Sequence, residues 1–225
     1  MIEFLKSSYF IVLYLVILIV AIVTYRKYFD TALKLFPIFI AYTFFTELLG
    51  YFILTYEEFS FFEDAAYSWH NVAIFNLYNV LVFSFFSWVY YQVLKKNSHK
   101  HIVRWGSLVI LASYLVSSIF QDPLHTGLFY AEALASWFLI FVIILYFKER
   151  RKKRKFAFEK HNLMFWVSIS LLVFHVFYPF LYLTGFLKPE IWITYHFRAI
   201  LKVLIVISYS FFLFGLILGK RRAFN

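Results

Sequence analysis

The sequence predicts an all-α integral membrane protein with seven transmembrane helices, and this prediction rests on composition and on the length of the apolar stretches. Of the 225 residues, 63% are hydrophobic and 15% are charged, whereas soluble domains are roughly half apolar and a quarter charged. A helix that spans a bilayer needs about 20 mostly apolar residues. Seven stretches meet this need: residues 9–25, 35–55, 72–94, 103–120, 127–147, 163–187 and 191–218. We therefore expect one transmembrane domain over residues 1–225.

The first stretch could also be interpreted as a signal peptide. It is followed by basic residues and has no small-residue cleavage site, whereas a signal peptide carries its positive charge before the apolar run. We therefore interpret it as a retained helix.

Basic residues on alternate connections predict the orientation of the chain. Every Lys and Arg lies in or beside the connections after the first, third, fifth and seventh stretches, apart from Lys6, Lys188, Arg198 and Lys202. The remaining connections carry most of the Asp and Glu residues. Because short cytoplasmic loops collect Lys and Arg, we expect the N-terminus outside, the C-terminus in the cytoplasm and a multi-pass location in the cell membrane.

Charge and cysteine content limit the possible partners. The net charge is +10, but the basic residues are dispersed between apolar runs and do not form the water-exposed face that nucleic acid needs. The run at residues 148–155 is interpreted as a topogenic anchor. The alternative is a docking patch for anionic lipid headgroups or for an acidic partner protein. Since there is no cysteine, disulfides, thiolate metal sites and Cys nucleophiles are excluded.

The third and seventh stretches share a sequence pattern that suggests an internal repeat. Alignment of the two matches His70 with His196 and residues 84–86 with residues 210–212. This favours two three-helix units joined by the fourth helix, and the alternative is chance similarity between Phe- and Ile-rich helices. A three-plus-one-plus-three plan resembles that of the sugar-transporting PQ-loop proteins and, more distantly, that of rhodopsins. The Pro-Gln pair that defines the first of these families does not occur in this sequence.

Polar residues inside the apolar stretches define the candidate ligand-binding site. Ionisable groups are costly within a bilayer and usually face the interior of a helix bundle. Counted from the ends of the stretches, nearly all of them lie at the middle or in the outer half. This depth pattern predicts a pocket that opens to the outside above an apolar floor. The candidate residues are Glu47, Asn76, Asn79, Glu132, His175, Arg198 and Lys202.

The four charges among these residues suggest a neutral network. Arg198 and Lys202 are four residues apart and so share a helix face, and Glu47 and Glu132 are the carboxylates at comparable depth. We therefore expect a carboxylate oxygen within about 4 Å of a cationic nitrogen, because unpaired charge is costly there. The alternative is that this network only holds the bundle together.

These features favour a ligand-sensing protein that signals through a partner protein, and transport of a small solute or ion is the close alternative. The two cations favour a ligand with a carboxylate or phosphate group, but the sequence identifies neither ligand nor cofactor. Lys202 resembles the retinal lysine of microbial rhodopsins, although Arg198 stands where those proteins have an Asp. An intramembrane hydrolase resembling the ceramidase and adiponectin-receptor type would need a His cluster, which His196 lacks.

Overall fold

The computed structural model describes residues 9–63, 71–151 and 160–221. Within these ranges the secondary structure is helical, and no β-strand occurs. Lys6, His70 and residues 152–155, which entered the predictions above, lie outside them. Short 3₁₀ turns occur at Tyr25–Lys27 and Glu57–Phe59. The α-helices are α1 Tyr9–Val23, α2 Phe36–Thr55, α3 Val72–Val93, α4 Asn97–Phe120, α5 Phe129–Arg151, α6 Leu163–Leu187, α7 Pro189–Thr194 and α8 Phe197–Leu218.

Six of these helices are long and apolar enough to cross a membrane: α2, α3, α4, α5, α6 and α8. Helix α1 is equally apolar, but it has only 15 described residues, fewer than the roughly 20 that a span needs. The structure therefore supports an all-α, multi-pass membrane protein. The seventh span, the orientation and the internal repeat stay predictions.

The predicted seventh stretch is interrupted, which corrects the sequence interpretation. Residues 191–218 do not form one helix: α7 ends at Thr194, and His196 adopts a left-handed backbone conformation with φ 50° immediately before α8. A left-handed residue cannot continue a right-handed helix. The break places Arg198 in the first turn of α8, near the end of the bundle.

The helices form a ring in which each packs on its neighbours. Helix α1 packs on α2 and α8, α3 packs on α2 and α5, and α6 packs on α5 and α8. Helix α4 lies in the corner between α3 and α5. Gly215 of α8 permits a close approach to α6, because a Cβ atom there would lie 2.7 Å from the Cβ of Trp166. Small residues at helix contacts are a common device in membrane proteins.

One end of the ring, where α3, α5 and α8 finish, is tightly packed and is called the basic end below. Phe86, Tyr90 and Val89 of α3 have no exposed surface, and Tyr146 of α5 is 2% exposed. The Tyr90 hydroxyl donates to Ser168 Oγ at 2.9 Å. The buried rings fill the centre of this part of the bundle. Beside them, residues of the basic end that include Asp30, Gln92 and Met164 line a cavity of about 440 Å³.

The basic end is also fastened by polar contacts to helix termini. Both carboxylate oxygens of Glu149 accept backbone N–H groups, from Lys95 at 2.9 Å and from Lys96 at 3.2 Å, at the start of α4. The Lys27 ammonium group donates to the carbonyl of Ile217 at 3.1 Å, in the last turn of α8. These contacts place negative charge at a helix start and positive charge at a helix end, which is the favourable arrangement for both helix dipoles.

Candidate functional site

A central cavity of about 360 Å³ lies inside the helix ring. Its lining runs from Asn71, just before α3, to Phe86 on the same helix. It therefore reaches the end of the bundle opposite the basic end. Small-ligand sites in proteins commonly measure about 300–1,000 Å³, so the cavity has room for a small organic molecule. Side chains from α1, α2, α3, α4, α5, α6 and α8 contribute to it.

Four of the sequence-predicted residues line this cavity, namely Glu47, Asn79, Glu132 and His175. Asn76, Arg198 and Lys202 are not part of the lining. The structure thus brings together both carboxylates and separates them from both cations. Whether these residues bind a ligand stays a prediction.

The Glu132 carboxylate is the most deeply buried charged group of the cavity, with 2% of the residue exposed. Its Oε2 atom accepts a hydrogen bond of 2.6 Å from the Tyr178 hydroxyl. Its Oε1 atom has no hydrogen-bond partner among the described residues, although Asn79 lies beside the carboxyl group. The Tyr182 ring stacks on Tyr178, with centroids 5.1 Å apart. These four residues form what we call the Glu132 cluster.

A second acidic cluster lies on the side of the cavity formed by α1, α2 and α8. The Tyr14 hydroxyl lies beside the Glu47 carboxyl group, and the rings of Tyr14 and Tyr209 are 4.4 Å apart. The hydroxyls of Tyr78 and Tyr209 are 3.5 Å apart. Glu47, Tyr14, Tyr78 and Tyr209 are called the Glu47 cluster. Both carboxyl groups of the cavity thus have tyrosine hydroxyls as neighbours.

His175 contributes a further polar group to the wall between α5 and α6. Its Nδ1 atom lies 3.0 Å from Ser136 Oγ, and the residue is 8% exposed. No group of three or more His, Asp or Glu residues converges as a metal site within residues 9–63, 71–151 and 160–221. His175 is therefore one hydrogen-bonding group of the cavity wall.

The predicted ion-pair network is wrong. Within the described chain neither Glu47 nor Glu132 pairs with Arg198 or Lys202 at 4.0 Å or less. Arg198 is exposed in the first turn of α8, and the Lys202 ammonium group lies 5.9 Å from the ring centroid of Phe10 on α1. The break at His196 is the physical reason, because it moves Arg198 to the end of the bundle. A preference for carboxylate or phosphate ligands loses its basis here.

Asn76 fastens a loop instead of lining the cavity. Its Nδ2 atom donates to the carbonyls of Pro123 at 2.7 Å and Thr126 at 2.9 Å, and its Oδ1 atom accepts the Leu128 amide at 3.1 Å. The Leu128 carbonyl in turn accepts the backbone N–H of Glu132 at 3.0 Å. Asn76 therefore fixes the start of α5, the helix that carries Glu132.

The tyrosines of the two clusters were not among the sequence-predicted site residues. Aromatic residues in membrane helices are usually lipid-facing or interfacial, so an aromatic residue alone does not indicate a site. A usable signal was nevertheless present: Tyr178 and Tyr182 are four apart in an apolar stretch and share a face. A tyrosine hydroxyl at that depth needs a polar partner, and Glu132 is that partner.

The structure thus defines a multi-pass all-α membrane protein with an aromatic cavity that contains two carboxyl groups. No protein-family model, curated protein or solved structure matches this chain.

Proposed function

We propose that this protein is a cell-membrane receptor. A small ligand enters the central cavity from outside, and its binding is signalled to a partner protein. The observation that carries the proposal is the unpaired Oε1 atom of Glu132, buried in the wall of a 360 Å³ cavity. A buried polar atom without a partner costs about 1–3 kcal/mol, so a ligand that supplies the partner recovers this cost.

The position of the cavity supports entry from one side. Its lining extends to Asn71 at the end opposite the basic end, and the fully buried rings of Phe86 and Tyr90 stand below it. With the orientation proposed from the charge pattern, the accessible end faces outward. The basic end then faces the cytoplasm, where anionic lipid headgroups and an acidic partner protein are its proposed contacts.

Transport of the same ligand is the second candidate, and the break in the chain at His196 favours it. Many secondary transporters bind substrate beside interrupted helices, and α8 begins directly after this break while its Leu201 lines the cavity. Uptake by proteoliposomes of a radiolabelled probe that binds the purified protein, above that of protein-free vesicles, would favour a transporter over a receptor. Binding without uptake is the expected result.

Photolabelling with adamantyl diazirine, an uncharged reactive probe, tests ligand entry. Ala135 lines the cavity and is 4% exposed, so Ala135→Trp fills the space with a large ring. We expect labelled positions on α5 and α6 in the native protein and loss of this labelling in Ala135→Trp. Ala199→Trp is the matched control, because Ala199 is exposed and outside the lining.

Two outcomes would refute entry into the cavity. One is labelling confined to lipid-facing positions of the native protein, and the other is unchanged cavity labelling in Ala135→Trp. Ala135→Leu fills less of the cavity than Ala135→Trp. A smaller loss of labelling in Ala135→Leu indicates that side-chain volume, and not misfolding, causes the loss. A monodisperse elution profile and native helix content are required of each variant.

A further inference from the structure

We propose that the ligand of the central cavity is an organic ammonium ion with an apolar body. This inference rests on the proposed function, since it names the class of ligand for the same cavity. Three observations carry it: the charges of the lining, the unpaired carboxylate oxygen and the ladder of aromatic rings beside it.

The charged side chains that line the cavity are both carboxylates. Glu47 and Glu132 belong to the lining, and no Lys or Arg does among the described residues. Arg198 is exposed in the first turn of α8, and the Lys202 ammonium group lies over the ring of Phe10. Attraction between charges is stronger in a low-dielectric interior than in water. A carboxylate that is ionised at either position attracts a cation and repels an anion, so the lining favours a cationic ligand over an anionic one.

The hydrogen-bonding state of Glu132 leaves room for such a cation. Tyr178 satisfies Oε2 at 2.6 Å, whereas Oε1 has no partner among the described residues and lies in a residue that is only 2% exposed. A buried carboxylate is stable when it is paired with a positive group. An ammonium ion beside Oε1 supplies that pairing.

Aromatic rings continue from Glu132 along one face of α6. Phe174 stacks on Tyr178 with centroids 4.8 Å apart, and Tyr178 stacks on Tyr182 at 5.1 Å. All three rings line the cavity. Because stacked rings cover one another's faces, only an outer face at an end of the ladder remains for an ammonium ion, which a ring face attracts within about 6 Å of its centroid. The same rings provide an apolar surface for the uncharged part of the ligand.

A bound metal cation fits these residues less well. The described chain contains no set of three or more His, Asp or Glu residues that converge on one point, and hard cations take six or more oxygen ligands. An organic cation needs one carboxylate and an apolar surface for its uncharged part, which the Glu132 cluster and Phe174 provide.

Three probes of similar size and different charge test the proposal. They are benzyltrimethylammonium, its uncharged carbon isostere neopentylbenzene, and the anion benzenesulfonate. Binding is measured by thermal stabilisation and calorimetry of the full chain in detergent. We expect the cation to bind at least tenfold more tightly than the isostere, and the anion not to bind.

Charge-neutral variants assign the effect to the cavity carboxylates. Glu132→Gln keeps the volume and removes the charge, so it should weaken binding of benzyltrimethylammonium tenfold or more without weakening neopentylbenzene. Glu47→Gln is a second, independent variant. Glu190→Gln, at an exposed position on α7, and Lys202→Met are controls that should leave the cation's affinity unchanged.

The outcomes separate this inference from the proposed function. Equal binding of cation and isostere, unaffected by Glu132→Gln and Glu47→Gln, would overturn the ammonium proposal and leave a ligand-binding cavity. Preferred binding of benzenesulfonate would overturn it as well. If no probe binds although adamantyl diazirine labels the cavity, the ammonium proposal fails alone. Absence of both binding and labelling would refute both.

Discussion

Replacement of Asn76 by alanine should destabilise the protein by about 2–3 kcal/mol. Asn76 is 6% exposed, and its amide makes three hydrogen bonds with the loop before α5. A net value of about 1 kcal/mol per bond gives a loss of about 3 kcal/mol. Measured side-chain hydrogen bonds between membrane helices average about 0.6 kcal/mol, which gives about 2 kcal/mol.

Asn79 offers a matched control for this change. It lies one turn further along α3, and its side chain lies beside the Glu132 carboxyl group and not at the loop, so Asn79→Ala should cost about 1 kcal/mol, the net value of one hydrogen bond. The assay is reversible unfolding in mixed micelles of increasing SDS content, followed by circular dichroism. The two variants share residue type, helix and loss of volume, so the difference between them reports the loop contacts.

Asn76→Ala also tests whether Asn76 affects ligand binding in the cavity through the start of α5. If Asn76 positions the first turn of α5, Asn76→Ala should weaken binding of benzyltrimethylammonium although Asn76 lies outside the lining. A loss of stability within 0.5 kcal/mol of that of Asn79→Ala would refute the reasoning. Unchanged affinity together with lost stability would confine the role of Asn76 to folding.

Three further predictions concern packing, a loop and orientation. Gly215→Ala should destabilise the protein by about 1–2 kcal/mol in the same unfolding assay. The Cβ of Trp166 is held by its own backbone and cannot move away, so the cost of overpacking outweighs the gain of about 1 kcal/mol in helix propensity. A more stable variant would refute the close contact. The hydrogen bond from His125 holds the pKa of Asp122 below its usual range, so its contribution to stability should be present above the ordinary Asp pKa and be lost as pH falls through the lowered value. Carboxyl NMR titration should show that pKa rising in His125→Ala, and an unchanged pKa would contradict the assigned cause. Alkaline phosphatase fused to the C-terminal end should remain in the cytoplasm and show no activity, and activity in the periplasm would reverse the proposed orientation.

The long apolar helices could be predicted from the sequence because hydrophobic length alone indicates a span. The predicted stretch 163–187 matches α6 in both bounds. The interruption of the last stretch could not be predicted from hydrophobicity, because residues 191–194 are as apolar as the helix that follows. His196 adopts the left-handed conformation without the glycine that normally marks it, so no residue type signalled the break.

Within the candidate site, the carboxyl groups could be predicted and their partners could not. Glu47 and Glu132 stood out as charges in apolar stretches, and the cost of burying them correctly pointed to the interior. The pairing with Arg198 assumed a continuous last helix and failed with it. The tyrosine partners depend on which helices are neighbours, as for Tyr14 and Tyr209, and a single sequence without an established topology does not contain that information.

The contact between the first and last helices has a consequence for biosynthesis. The rings of Tyr14 and Tyr209 are in contact although the two residues lie near opposite ends of the sequence, and Lys27 donates to a carbonyl at the end of α8. Translation proceeds at about 5–20 residues per second, so on the order of ten seconds pass between synthesis of α2 and arrival of α8. During that interval Glu47 lacks the wall that α8 provides. The nascent chain must therefore keep this carboxyl group neutral, hydrated or covered by the insertion machinery until the last helix closes the ring.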